Sequence, residues 1–176
     1  MAALGDFAGF GCDAMAFLDG LVADNSKRYF DANRATYDTQ VAVPLKQLVA
    51  AVGDRLAATV APDVEYEPKI GRSLFRINRD LRFSTDPTPY HPHLDAVWWT
   101  GLSSDDSAKT SPAFIMRITP ATVLTGVGIY GMRGERLDRY RDAVVGAAGE
   151  ELDAIVTSLS TAVPNATVSP GSSMRT

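Results

Sequence analysis

The spacing of apolar residues changes period twice along this chain, and those changes limit the folds open to it. From Asp13 to Leu56 the apolar positions recur every three, four or seven residues, which is a helical period. Ala14, Phe17, Leu18, Leu21 and Val22 place a short helix over residues 13–23, with Asp13 as its cap. Asp24-Asn25-Ser26 breaks that helix and caps a longer one, whose apolar face runs from Phe30 through Tyr37, Val41, Leu45, Leu48 and Val52 to Leu56. Pro44 lies inside it, removes one backbone donor and crowds the turn before it, so a kink or break is expected near residues 40–43. The period then shortens to two. Val64, Tyr66 and Ile70 alternate with Glu65, Glu67 and Lys69 as an edge strand carrying Pro68, and residues 73–78 form a second. In that second strand Leu74, Arg76 and Asn78 face one way, and Phe75 and Ile77 the other. Three more strands follow at Leu94–Thr100, Pro112–Thr119 and Thr122–Tyr130, with Gly126, Gly128 and Gly131 as points of close approach or bulges. The helical period returns at Leu137, Tyr140, Val144 and Val145, and again at Leu152, Ile155, Val156 and Leu159. The expected fold is α+β: N-terminal helices, a central antiparallel sheet of about five strands, and C-terminal helices.

A chain of 176 residues fits one domain over residues 1–163, with an adequate core. Residues 103–111 read as a mobile hairpin loop, and residues 164–176, rich in Ser, Thr, Pro and Gly, as a flexible tail or a truncated C-terminal segment. Cys12 is the single cysteine, which excludes an internal disulfide and argues against a thiolate metal cluster. The start of the chain lacks a basic leader, and no apolar run reaches the roughly 18 residues of a membrane span. The expectation is a cytoplasmic protein with no membrane partner.

The polar chemistry is concentrated between Arg76 and His93. Net charge is −4, yet the window from Lys69 to Arg82 holds Lys69, Arg72, Arg76, Arg79 and Arg82 against Asp80 alone. That local net of +4 leaves −8 on the remainder, which suits a confined anionic ligand better than nucleic acid or another long polyanion. Residues 79–92 form a long loop stiffened by Pro87, Pro89 and Pro92, and long loops inside compact domains are usually functional. Arginine forks grip phosphate or carboxylate, so Arg76, Arg79 and Arg82 are candidate ligands for a small anion. Ser84, Asp86 and Tyr90 are candidates to orient it. His93 and Asp80 are the candidate proton carriers, against bland alternatives in which His93 is structural and Asp80 and Asp86 pair with the arginines. Arg28, at a helix start, could help hold the anion or simply belong to a cap with packing aromatics. His91, His93 and Asp95 alternate along a strand, which admits a metal reading, but it ranks below the anion reading and no metal is expected. No phosphate loop or nucleophile elbow is present, and Gly126-Val127-Gly128 lacks the third glycine of a dinucleotide fingerprint, so no cofactor is expected.

The order Phe75-Arg76, Arg79-Asp80, Arg82-Phe83-Ser84, Asp86, Pro89-Tyr90 and His93 resembles the signature of the family known as domain of unknown function 2461. The resemblance extends to Asn25-Ser26-Lys27-Arg28-Tyr29-Phe30, to Gly126-Val127-Gly128-Ile129-Tyr130 and to Leu137-Asp138-Arg139-Tyr140-Arg141, and so spans most of residues 10–160. Thr85, Pro87 and His91 depart from the lysine-rich pattern of that family. The resemblance implies a fold and a site, without an established activity or catalytic residues. Because His91 is one of the departures, a family metal would not depend on it. The leading expectation is a pocket for a small phosphorylated or carboxylated ligand with hydrolase or transferase chemistry. Its rival is a non-enzymatic domain whose polar loop is an ion-pair network or a docking surface.

Overall fold

The computed structural model describes residues 6–83, 85–100, 111–129 and 131–163. Residues 1–129 make one compact unit and residues 130–176 a second. The first helix, α1 (Cys12–Ala23), buries Ala14, Phe17, Leu18 and Leu21, the spacing that its sequence carries. Its cap is Gly11, with no side-chain bond; Asp13 lies instead in the first turn, where a carboxylate favours the positive end of the helix dipole. Ser26 caps α2 (Lys27–Ala32), its Oγ accepting from the Tyr29 amide at 3.1 Å.

A single turn, α3 (Arg34–Thr36), leads into a π-helical turn over Tyr37–Ala42 and then into α4 (Val43–Thr59). Pro44 occupies the first turn of α4. A continuous α-helix would press its ring against an upstream carbonyl and leave that carbonyl without a donor; the wider turn just before it relieves both. The break expected near residues 40–43 thus takes the form of a π turn. From α4, Leu45, Leu48 and Val49 enter the core.

The sheet has three strands, not about five. They are β1 (Leu94–Trp99), β2 (Pro112–Ile118) and β3 (Val123–Ile129), antiparallel in that order. Both expected strands before β1 are corrected. Glu65 makes an isolated bridge to Trp99, and Leu74 and Asn78 make isolated bridges to Ala96 and Tyr90. Pro68 has no amide to extend a ladder, and the segment is folded on itself by the Ser73 hydroxyl accepting from the Glu67 amide at 3.0 Å. Leu74 and Ile77 are both buried while Phe75 and Arg76 are exposed, so the expected alternation is absent. The β2–β3 register runs unbroken from Pro112 opposite Ile129 to Ile118 opposite Val123, so Gly126 and Gly128 make no bulge.

One face of the sheet places Leu94, Ala96, Trp98 and Ile118 in the core with α1 and α4 side chains. Trp98 is 1% exposed, and its indole N–H donates to the Val49 carbonyl at 2.9 Å. The other face presents Asp95 opposite Arg117. In the second unit, α5 (Gly134–Val144) and α6 (Ala147–Ala162) form a hairpin at the two expected helical stretches. A Cβ on Gly149 would lie 1.8 Å from the Val144 carbonyl oxygen, so that close turn needs glycine. Most of the loop expected at 103–111, the tail at 164–176 and Tyr130 lie outside the described residues. Among the described residues, no helix is long and apolar enough to cross a membrane.

Candidate functional site

The loop between Ile77 and His91 is drawn together at its base. The Arg79 amide donates to the Pro89 carbonyl at 2.9 Å and the His91 amide to the Ile77 carbonyl at 2.7 Å, either side of the Asn78–Tyr90 bridge. A short 3₁₀ turn at Leu81–Phe83 lies within it. Asn25 then fastens the loop to the helices. Its Nδ2 donates to the Tyr90 carbonyl at 2.9 Å and its Oδ1 accepts from the Tyr90 amide at 3.0 Å, so one side-chain amide stands in for a neighbouring strand. The Tyr90 ring stacks on Phe30 at 4.4 Å with planes 9° apart and is 5% exposed. Tyr90 is thus a core anchor of the loop, packed against α2.

The arginines have different partners. Arg82 donates from Nε and Nη2 to the two carboxylate oxygens of Asp80 at 2.9 and 2.6 Å, in solvent. Those side-chain bonds, with the Arg82 amide, hold Asp80 down at about 2. Arg79 is only 19% exposed; its Nη1 donates to Asp86 and, at 2.8 Å, to the Thr88 hydroxyl. Asp86 also accepts from the Thr88 amide at 2.9 Å, and the Thr88 bonds lead in lowering its pKa. Arg76 is exposed and makes no ion pair among the described residues. Arg28 is 92% exposed beside Asp24, 3.9 Å away, and is not brought to the loop. Ser84 lies outside the described residues.

A second group forms where the loop enters β1. The His91 and His93 rings lie 5.0 Å apart. His93 Nε2, in the bend just before β1, is 3.5 Å from Asp95 Oδ2 in its second residue. Arg117, directly across the ladder, donates from Nε and Nη2 to Oδ1 and Oδ2 of Asp95, each at 2.7 Å. Burial pushes the Asp95 carboxyl up, but the Arg117 bonds, then His93, outweigh it and hold Asp95 at about 2. Burial also leads in lowering His91, followed by His93, Arg79 and Arg117, with Asp95 pulling the other way. Arg79, His91, His93, Asp95 and Arg117 therefore share one electrostatic neighbourhood, and Arg79 is the member of the basic run that reaches it. Among the described residues, no three His, Cys, Asp or Glu side chains are grouped to hold a metal.

The sequence reading missed Arg117 and the tie made by Asn25. Arg117 stood in an expected strand, but its pairing with Asp95 depends on a register that crosses a long loop. Asn25 next to a capping serine looks like part of the cap; its reach of 65 residues leaves no local trace.

A protein-family model described as Conserved hypothetical protein (DUF2461) matches residues 13–168. No curated protein and no solved structure matches the chain. The family match covers nearly the whole chain, which therefore belongs to the DUF2461 family.

Proposed function

We propose that this member of the DUF2461 family binds a small phosphorylated or carboxylated ligand whose negative charge lies against Arg79, His91, His93 and Arg117. The observation that supports this is the placement of the His91 and His93 rings 5.0 Å apart, with His93 beside an Asp95 whose two oxygens are bonded to Arg117, and with Arg79 among the positive groups acting on His91. Arg117 directs Nε and Nη2 at Asp95, and Arg79 directs Nη1 at Asp86 and Thr88. Each guanidinium carries five N–H donors, so each keeps donors beyond those bonds, and an oxyanion is the group that accepts them. His93, oriented by Asp95, is the side chain placed to move a proton in hydrolysis or transfer on such a ligand. Asp80 suits that role poorly, since a carboxyl held at about 2 is a weak base at neutral pH.

Thermal melting against inorganic phosphate, sugar phosphates, nucleotides and dicarboxylates tests the proposal. At least one class should raise the melting temperature with concentration, and Arg79→Gln and His93→Gln should each remove most of that rise. No rise with any class overturns it. The non-enzymatic reading rests on a different observation, the solvent-exposed Asp80–Arg82 ion pair. That reading makes the loop an ion-pair network or docking surface, and it gains if the melting temperature does not move.

A further inference from the structure

We infer that the anion site takes up a proton at His91 as it binds its ligand, which makes binding pH-dependent. This rests on the ligand reading above and goes on to the regulation of the same site. His91 is half-buried, 5.0 Å from the His93 ring. His93 in turn lies 3.5 Å from Asp95 on β1, which Arg117 on β2 bonds, and Arg79 and His91 are held at the same loop base by their amide bonds to Pro89 and Ile77; all four charged or titratable groups act on His91. The single negative group among these, Asp95, already has both oxygens in bonds to Arg117. In the protein by itself, burial and the surrounding positive groups disfavour the imidazolium, in keeping with the lowered pKa of His91. His91 spends its backbone amide on the Ile77 carbonyl, and among the described residues its ring makes no hydrogen bond, so a ring N–H can turn to a ligand oxygen.

An anion bound against this cluster reverses the electrostatics. It adds a negative charge beside the His91 ring, so His91 takes one proton from solvent and donates an N–H to the ligand. The sign follows from linkage. The liganded protein binds more protons than the ligand-free one at a pH between the two His91 pKa values. Affinity therefore rises as pH falls through that window, by up to about tenfold per pH unit, and is level on either side.

Calorimetric titration with inorganic sulfate, which does not itself titrate near neutrality, tests this across about pH 5–8 in two buffers of different ionisation enthalpy. The expected result is a dissociation constant that falls towards acid, with uptake of a fraction of a proton per sulfate. His91→Gln should weaken binding and flatten its pH dependence. In wild-type protein, the NMR titration midpoint of the His91 ring should move up on saturation with sulfate. A pH-independent dissociation constant, or an unmoved His91 midpoint, overturns the coupling while leaving the anion site standing. Absence of sulfate binding at every pH, together with no rise in melting temperature with any of the anion classes, overturns the site itself, and the coupling with it.

Discussion

Asp95 carries its charge at 23% exposure, a position that would favour the neutral acid if Arg117 were not bonded to both of its oxygens. The pKa held at about 2 has a consequence for stability. An unfolded aspartate titrates near 3.9, so the unfolded chain binds the proton first as pH falls. The folded-state pKa is depressed; the contribution is therefore complete well above pH 4 and is lost as pH falls through about 2, amounting to roughly 2–3 kcal/mol. Urea midpoints measured from pH 5 down to pH 2 should show that loss in wild-type protein. In Asp95→Asn the fall should be smaller, and the midpoint at pH 5 should start lower, because an amide cannot accept both Arg117 bonds as an anion does. The pairing of His93 with Asp95 could be read from two-residue spacing. The pairing with Arg117 could not, since it joins positions 22 apart through a strand register. Arginine density singled out the loop as a whole and gave equal weight to Arg76, Arg79 and Arg82. What separates them is burial and partner choice, and neither is written in local composition.

In α4, Gly53 sits where a helix former would ordinarily be the better residue. Gly→Ala in an exposed helix interior gains about 1 kcal/mol. Here a Cβ would stand 2.4 Å from ring atoms of Tyr66, whose hydroxyl bonds to Asp54 in the same helix. The ring would have to leave that bond and its packing on the core, at about 1–3 kcal/mol. Gly53→Ala should therefore lower the urea midpoint, opposite in sign to the propensity effect; a raised midpoint would mean that Tyr66 moves aside freely. Period carried the element-level information well wherever a face is buried. Phe17, Leu18 and Leu21 gave α1, and Leu94, Ala96 and Trp98 gave β1 with its core face. It misled at Val64–Ile70, where alternation is present but only Glu65 bridges to β1, because Pro68 and the Ser73–Glu67 bond bend the chain away from a ladder. Pro44 located the disturbance in the long helix, but the π turn that absorbs it depends on the packing of Val41 and Leu45 on either side, both buried.

At the scale of the whole molecule, the buried core among the described residues is drawn from the first unit, from Ala14 to Ile118. The α5–α6 hairpin contributes no buried residue, and Tyr140, Val144, Leu152, Ile155 and Leu159 along it are exposed. These facts predict different behaviour for two fragments. Residues 1–129 contain both ends of every tie described at the candidate site: Asn25 to Tyr90, Phe30 to Tyr90, Arg79 to Asp86 and Asp95 to Arg117. Produced alone, this fragment should unfold in a single cooperative urea transition and keep the acid sensitivity of Asp95. Residues 130–163 fall short of the roughly 40 residues below which a chain seldom folds without a staple. Alone in dilute solution, that peptide should show weak helical circular dichroism and a gradual thermal decline instead of a transition. A fragment 1–129 without a cooperative transition would show that its core is not self-sufficient, and a cooperatively melting peptide would show that the hairpin's own packing outweighs its exposed apolar face.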